Sequence, residues 1–387
     1  MKADEADAGR LILPPLSLYI HVPWCVRKCP YCDFNSHARS GELPEQAYLA
    51  ALLEDLDGDL AFAAGREVQT VFIGGGTPSL LSADFYRILL QSIAQRLPMA
   101  TDAEITLEAN PGTLEAGRFE GFRTAGINRL SIGAQSFDDS HLHRLGRIHD
   151  SHAIFNAVQA AQVAGFERLN IDLMYGLPEQ TLASALMDLQ QAISLGVDHL
   201  SWYQLTLEPN TEFYSLPPAL PDDDRIGEIA DAGQALLESA GFQGYEISAW
   251  ARPGQAARHN LNYWEFGDYL ALGAGAHGKI TQPETGQVLR YWKTRQPEAY
   301  LGRIGSRTAG HQVISVEDMP LEFMMNALRL TQGVAESSYS ERTGLPLVGL
   351  EKILNTLREE DWLEPGRLAP TAKGRRYLNA LLEHFVE

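Results

Sequence analysis

The first 210 residues alternate short apolar runs with helical segments, and this alternation restricts the fold more than any other feature. Segments with helical periodicity, such as Glu45–Leu60, Ala83–Arg96 and His152–Ala164, separate the apolar runs. Strands that alternate with helices in this way form parallel sheets. Six units predict an α/β fold with a partial (β/α)6 barrel rather than a closed eight-stranded one. The six predicted strands are Leu16–Val22, Val68–Ile73, Glu104–Glu108, Arg129–Ala134, Arg168–Met174 and His199–Leu205.

The remainder of the chain follows two other patterns, so we predict three parts: residues 1–210, 211–316 and 317–387. The middle part combines a Pro/Asp-rich loop, one helix and short aromatic runs, which predicts an irregular α+β extension. The last part reads as helices with a short hairpin, which predicts a small winged-helix-like domain. It contains 12 acidic and 8 basic residues, so we expect a packing or partner-contact role rather than DNA binding.

The overall charge and hydropathy disfavour nucleic acid as a partner and a position across a membrane. With 387 residues and a net charge of −19, the chain repels phosphate backbones, and we predict no nucleic-acid substrate. It has no apolar run long enough to span a membrane. Residues 1–10 are acidic and small, unlike a signal peptide, and with reduced thiols this predicts a cytoplasmic protein. The oligomeric state stays open, a homodimer included.

Three cysteines lie within eight residues, directly after the first predicted strand: Cys25, Cys29 and Cys32. An odd number cannot pair fully as disulfides within the chain, whereas three thiolates this close can share a metal centre. A structural zinc ion needs a fourth ligand, for which His21 or His37 is the candidate. A four-iron cubane held by three thiolates instead leaves one iron open to an external ligand.

Polar or glycine-rich residues follow the predicted strands, where parallel folds place their sites. Gly74–Pro78 lacks side chains at three consecutive positions, so a ligand can approach its backbone closely. Glu108, Gln135, Arg147 and Asp172 offer two carboxylates, an amide and a cation. Together they suit a ligand with ribose hydroxyls, an ammonium, a carboxylate and a sulfonium.

The cysteine spacing after a first barrel strand resembles the radical S-adenosylmethionine (SAM) superfamily, whose core is a TIM-like partial barrel. Across nearly the whole chain, the motifs resemble those of the oxygen-independent coproporphyrinogen III oxidase family. The motifs that carry this resemblance are Leu18–Cys25, Phe72–Pro78, Glu108–Pro111, Ser131–Phe137 and Asn170–Pro178.

This resemblance implies a 4Fe–4S cluster on Cys25, Cys29 and Cys32, with SAM at the open iron. It also implies a set of SAM contacts at the strand ends. The implied contact residues are Tyr19, Tyr31, Gly75, Gly76, Thr77, Glu108, Gln135, Arg147, Asp172 and Thr206.

Two departures separate the chain from the oxidases and resemble the HemW branch, the haem chaperones. Phe34 stands where the oxidases carry a further cysteine, and only 24 residues precede Cys25. The segment Arg258–Trp264 reads His-Asn-x-x-Tyr-Trp, similar to a haem-associated motif of that branch. The branch implies that haem is bound and passed to an acceptor protein, without decarboxylation of coproporphyrinogen.

The haem ligand is not settled by spacing, because haem accepts several axial side chains. His259, with Tyr263 and Trp264 beside it, is one candidate, and His277 is a second. Three hypotheses about function therefore stand: a haem carrier, a radical oxidase that cleaves SAM, and a zinc-stabilised binding module. The third does not explain Gly74–Pro78, Glu108 and Asp172 together.

Overall fold

The structure, a computed structural model, describes residues 11–39, 41–112 and 116–386. The acidic stretch of residues 1–10, which was predicted not to be a signal peptide, lies outside the described residues. Within the described ranges, no helix combines the length and the apolar character needed to cross a membrane.

Twelve strands join into one sheet in the part of the chain that the structure describes. They are β1 Leu16–Val22, β2 Val68–Gly75, β3 Met99–Ala109, β4 Arg129–Gln135, β5 Arg168–Tyr175, β6 His199–Gln204, β7 Gln243–Glu246, β8 Ala249–Ala251, β9 Asp268–Leu272, β10 His277–Gln282, β11 Gln287–Lys293 and β12 Thr308–Val313. Their order across the sheet is β12-β11-β10-β9-β1-β2-β3-β4-β5-β6-β8-β7. Strands β1 to β6 are parallel neighbours in chain order, and the sheet stays open, which confirms the partial barrel.

Helices connect the parallel strands and also form most of the last part of the chain. They are α1 Glu45–Ala63, α2 Ala83–Ala94, α3 Phe119–Ala125, α4 Asp139–Arg144, α5 Ser151–Val163, α6 Leu182–Ser194, α7 Glu212–Ser215, α8 Asp223–Ser239, α9 Arg258–Trp264, α10 Pro297–Gly302, α11 Met319–Ala327, α12 Glu336–Thr343, α13 Glu351–Glu359, α14 Ala372–Arg376 and α15 Leu378–Glu383. Side-chain caps fix several starts: Ser82, Asp150 and Thr181 each accept a backbone N–H of the following helix. The main core lies between the sheet and the helices that connect its parallel strands.

The predicted extension continues the sheet of the barrel at both edges. Strand β8 pairs antiparallel with β6, and β7 pairs antiparallel with β8. At the other edge, β9 pairs in parallel with β1 and leads into the antiparallel strands β10 to β12. As a result, β1 has a neighbour on each side. The extension is thus more regular than its sequence indicates, because its strands are completed by partners distant in the chain.

Helices α11 to α15 enclose a second core that includes Phe323, Leu354, Leu357 and Leu368. The predicted hairpin of this helical region consists of single antiparallel bridges, such as the one that joins Leu363 to Pro370. The wing is therefore short, and the helices form most of this region.

Candidate cluster and cofactor site

The cysteine loop closes on itself at the carboxyl end of β1. Its first residues, Trp24–Cys25, pair in parallel with His37–Ala38. Inside the loop, the backbone N–H of Cys32 donates to the carbonyl of Cys29 at 3.1 Å. All three cysteines are free thiols of intermediate exposure. The loop therefore holds three thiols at the edge of the sheet where the strand ends meet.

The donor set fits an iron–sulfur cluster better than a zinc ion. Among the described residues, no three His, Cys, Asp or Glu side chains converge on a single metal ion. The candidate zinc ligands are also engaged: His21 bonds Tyr19 and the Asn35 carbonyl, both at 2.9 Å, and His37 lies 3.2 Å from Asn35 Oδ1. A cubane binds each thiolate through a different iron, so its ligands need not meet at one point.

A half-buried arginine, Arg147, lies beside the thiols. Arg147 Nη1 is 3.6 Å from Cys29 Sγ, and Nη2 donates to Asn110 Oδ1 at 2.9 Å and to the Gly133 carbonyl at 2.5 Å. Its Nε is buried without a hydrogen-bond partner among the described residues. The arrangement fixes a cation next to Cys29 with one donor to spare, which suits an anionic group bound there.

The glycine turn after β2 lies against the chain that enters the cysteine loop. Gly76 N–H donates to the Val22 carbonyl, and Thr77 N–H donates to the Trp24 carbonyl, both at 2.7 Å. A Cβ atom on Gly76 would lie 2.6 Å from that Trp24 oxygen. Only glycine allows this approach, so the turn brings bare backbone next to Cys25.

Two half-buried carboxyls, Glu108 and Asp172, make the strand ends favourable for a cation. Burial, with a contribution from the Asp172 charge, raises the pKa of Glu108 to about 8, although Gly75 N–H donates to it at 3.0 Å. Burial also raises the pKa of Asp172, which accepts from Ser131 at 2.9 Å and from Asn170 at 2.8 Å. A positively charged ligand would restore ionisation that burial disfavours.

The other predicted SAM contacts are spread around this edge. Gln135, which adopts a φ of 72° at the end of β4, accepts from Tyr203 at 2.9 Å. The Tyr31 ring packs against Phe213, with ring centroids 6.3 Å apart. Thr206, just beyond β6, is exposed. The contacts of these residues with SAM stay predictions.

One cavity of about 480 Å³, termed the central cavity below, joins the strand ends to the extension. The cysteine loop contributes Asp33, Phe34 and Asn35 to its lining, and the strand ends contribute Tyr19, Gly75 and Glu108. The extension contributes a further set: His259, Tyr263, Tyr269, His277, Trp292, Lys293 and Arg295. Both candidate haem ligands therefore face the same space as three of the predicted SAM contacts.

The two histidines differ in their surroundings. His259 is buried, its ring stacks on Phe72 with centroids 5.1 Å apart, and burial lowers its pKa to about 3. Its Nδ1 lies 2.8 Å from the Thr70 hydroxyl, which donates to Ser17 at 2.8 Å. Because that hydroxyl has one proton, Nδ1 is the donor, and Nε2 keeps a lone pair.

The second histidine is more open. His277 is exposed and stacks on Trp292 with ring centroids 6.3 Å apart. Partial burial, with the charges of Arg290 and Arg295, lowers the pKa of His277. Both rings are therefore held in the neutral form that binds iron.

Sequence reasoning missed Asn35 and Arg295. Asn35 Nδ2 donates to the carbonyls of Ala274 and Arg295, both at 2.9 Å, and so ties the cysteine loop to the extension. These partners lie 239 and 260 residues away along the chain. Proximity of Asn35 to Cys32 is the one local signal that was available.

Comparison with known proteins agrees with this architecture. The family model of the Radical SAM superfamily matches residues 19–192, and that of the HemN C-terminal domain matches residues 314–377. A solved structure described as coproporphyrinogen III oxidase (HemN) from Escherichia coli aligns with 98% of this chain and 91% of its own, with a TM-score of 0.81. At 24% identity, this match shows the fold alone. The fold and the cysteine loop thus define a radical SAM protein.

Similar proteins that carry a name identify the family within the radical SAM proteins. The "Heme chaperone HemW" of Escherichia coli (strain K12) is 51% identical, covering 97% of this chain and 99% of the relative. The protein of that name from Bacillus subtilis (strain 168) is 36% identical over 89% of this chain and 91% of its own. The chain therefore belongs to the HemW family.

Proposed function

We propose that the protein is a haem chaperone that binds haem in the central cavity and passes it to an acceptor protein. It carries a 4Fe–4S cluster on Cys25, Cys29 and Cys32, with SAM at the open iron. The observation that carries the proposal is the shared cavity, because His259 and Glu108 line one space beside the cysteine loop. The names of the relatives at 51% and 36% identity support it.

The two half-buried carboxyls and the arginine bind different groups of SAM. Glu108 and Asp172 supply negative charge for the ammonium and the sulfonium, whereas Arg147 supplies a cation for the carboxylate. The bare backbone of Gly75 and Gly76 lets the ligand lie close to the cysteine loop, and Thr77 follows as a further proposed contact. When bound, the cluster supplies an open iron with redox capacity. The remaining proposed SAM contacts are Tyr19, Tyr31, Gln135 and Thr206.

His259 is proposed as the haem ligand. Its Nδ1 donates to Thr70, so the ring orientation is fixed and Nε2 can bind iron. Phe72 supports one face of the imidazole. His277 stays the second candidate, at the open side of the cavity. Because thiols and clusters persist where the surroundings are reducing, we place the protein in the cytoplasm.

The test compares haem with coproporphyrinogen III on anaerobically reconstituted protein. We expect a haem Soret band that survives gel filtration, and no formation of protoporphyrinogen. Turnover of coproporphyrinogen would instead establish the radical oxidase, the alternative that the fold also allows. Conversion of all three cysteines to serine serves as the control and should remove the brown cluster chromophore. Retained zinc in place of that chromophore would contradict the cluster assignment.

A further inference from the structure

The guanidinium of Arg295 lies at the rim of the central cavity, and its two terminal nitrogens have no partner among the described residues. The Nε atom donates to Asn35 Oδ1 at 3.2 Å, and the Arg295 carbonyl accepts from Asn35 Nδ2 at 2.9 Å. Within the described ranges, Nη1 and Nη2 have no hydrogen-bond or ion-pair partner. The side chain is thus anchored at its base and free at the two nitrogens that bind carboxylates side by side.

The other cation of the lining is already neutralised. Lys293 Nζ lies 2.7 Å from both Asp55 and Asp59 and is buried with them. His277 is kept neutral, because burial and neighbouring cations lower its pKa. Among the groups that line the cavity, Arg295 is therefore the cation free to meet an anionic ligand. The lining also carries an exposed carboxylate, Asp33, in the cysteine loop.

The rest of the cavity lining suits a flat, apolar ligand. Aromatic rings of Phe72, Tyr263, Tyr269 and Trp292 face the cavity. A chain with a net charge of −19 repels anionic ligands as a whole. A ligand with carboxylates at one edge therefore needs a local cation at the rim.

We propose that Arg295 binds a carboxylate of the porphyrin ligand and so selects a macrocycle that carries free acid side chains. The inference rests on the proposed function and deepens it. Because Asn35 holds the arginine, the loop that carries the cluster ligands also positions this carboxylate site.

Two ligands that differ only in their carboxylates test the assignment: haem and haem dimethyl ester. Each is titrated into reconstituted wild-type protein, into Arg295→Gln and into Arg87→Gln. The last removes the same charge from the exposed face of α2, where Arg87 pairs with Asp84. We expect wild-type protein and Arg87→Gln to bind haem about tenfold more tightly than the ester, the lower range for a charge-assisted hydrogen bond. Arg295→Gln should bind the two equally, with the affinity for the ester unchanged.

Comparison with the ester distinguishes carboxylate recognition by Arg295 from a purely structural role of that side chain. If Arg295→Gln weakens both ligands alike, the arginine only supports the loop, and the proposal is overturned. If the preference for the free acid persists in this variant, the carboxylate binds elsewhere. Wild-type protein that binds neither ligand would overturn the proposed function itself, and this inference with it.

Discussion

Gly75 lies so close to the imidazole of His21 that a Cβ atom would be 2.4 Å from the ring. Its φ of +113° also favours glycine. We expect Gly75→Ala to lower the free energy of unfolding by about 2–4 kcal/mol, since it adds a clash in a packed region to backbone strain. Denaturant unfolding measures the difference.

The matched control for this change is Gly65→Ala. Gly65 has a φ of +72°, and a Cβ atom added there would have open space for 4 Å around it. It should therefore lose only about 1 kcal/mol, from the backbone alone. Equal losses in the two variants would show that the contact with His21 is unimportant.

His259→Ala is expected to weaken haem binding at least about tenfold and to shift the Soret band, because it removes the proposed axial nitrogen. Absorption titration measures both. His277→Ala is the comparison, and it should retain the wild-type spectrum. If the two variants exchange these results, His277 is the axial ligand.

The buried His259 also predicts an acid sensitivity. Its pKa of about 3 in the folded protein lies below the ordinary 6.5, so the unfolded chain takes up this proton first. Its contribution to stability is therefore lost as the pH falls from 6.5 towards 3. Relative to wild type, His259→Gln should lose about 2 kcal/mol less between about pH 7 and about pH 4.5, as measured by denaturant unfolding. The exposed His152→Gln should follow wild type.

Glu108 is expected to release its proton when a cationic ligand binds. Its pKa of about 8 keeps the carboxyl largely protonated at neutral pH, and a nearby positive charge favours the ionised form. SAM binding should therefore release up to about one proton per site and strengthen as the pH rises towards 8. Anaerobic calorimetry in two buffers of different ionisation enthalpy measures the release. Glu108→Gln should reduce it, whereas unchanged release would assign the proton to another group.

The barrel strands were predictable because each parallel strand is buried and therefore apolar. The predicted β1 has the observed bounds, Leu16–Val22, and the other five predicted strands overlap the observed ones. The largest error is at β3, which begins at Met99 rather than Glu104. Its first residues are partly or fully exposed, so no apolar run marks them.

The position of the extension was not predictable, since its strands are paired by contacts far apart in sequence. Nothing in Asp268–Leu272 indicates that β9 pairs with β1. The same holds for Asn35 and Arg295, whose contact depends on that pairing. By contrast, the placement of Gly75 and Glu108 at one edge follows from parallel strands alone. The boundaries at 210/211 and 316/317 stay predictions.

The pairing of β1 with β9 has a consequence for how the protein is made. The strand that leads to the cysteines is among the first synthesised, yet its neighbour is complete only when residue 272 has been added. Until then, β1 leaves one edge without a partner while the three thiols are already part of the nascent chain. The ribosome thus delivers the three thiols well before the sheet that supports them, so the proposed cluster can be held by a complete sheet only late in biosynthesis.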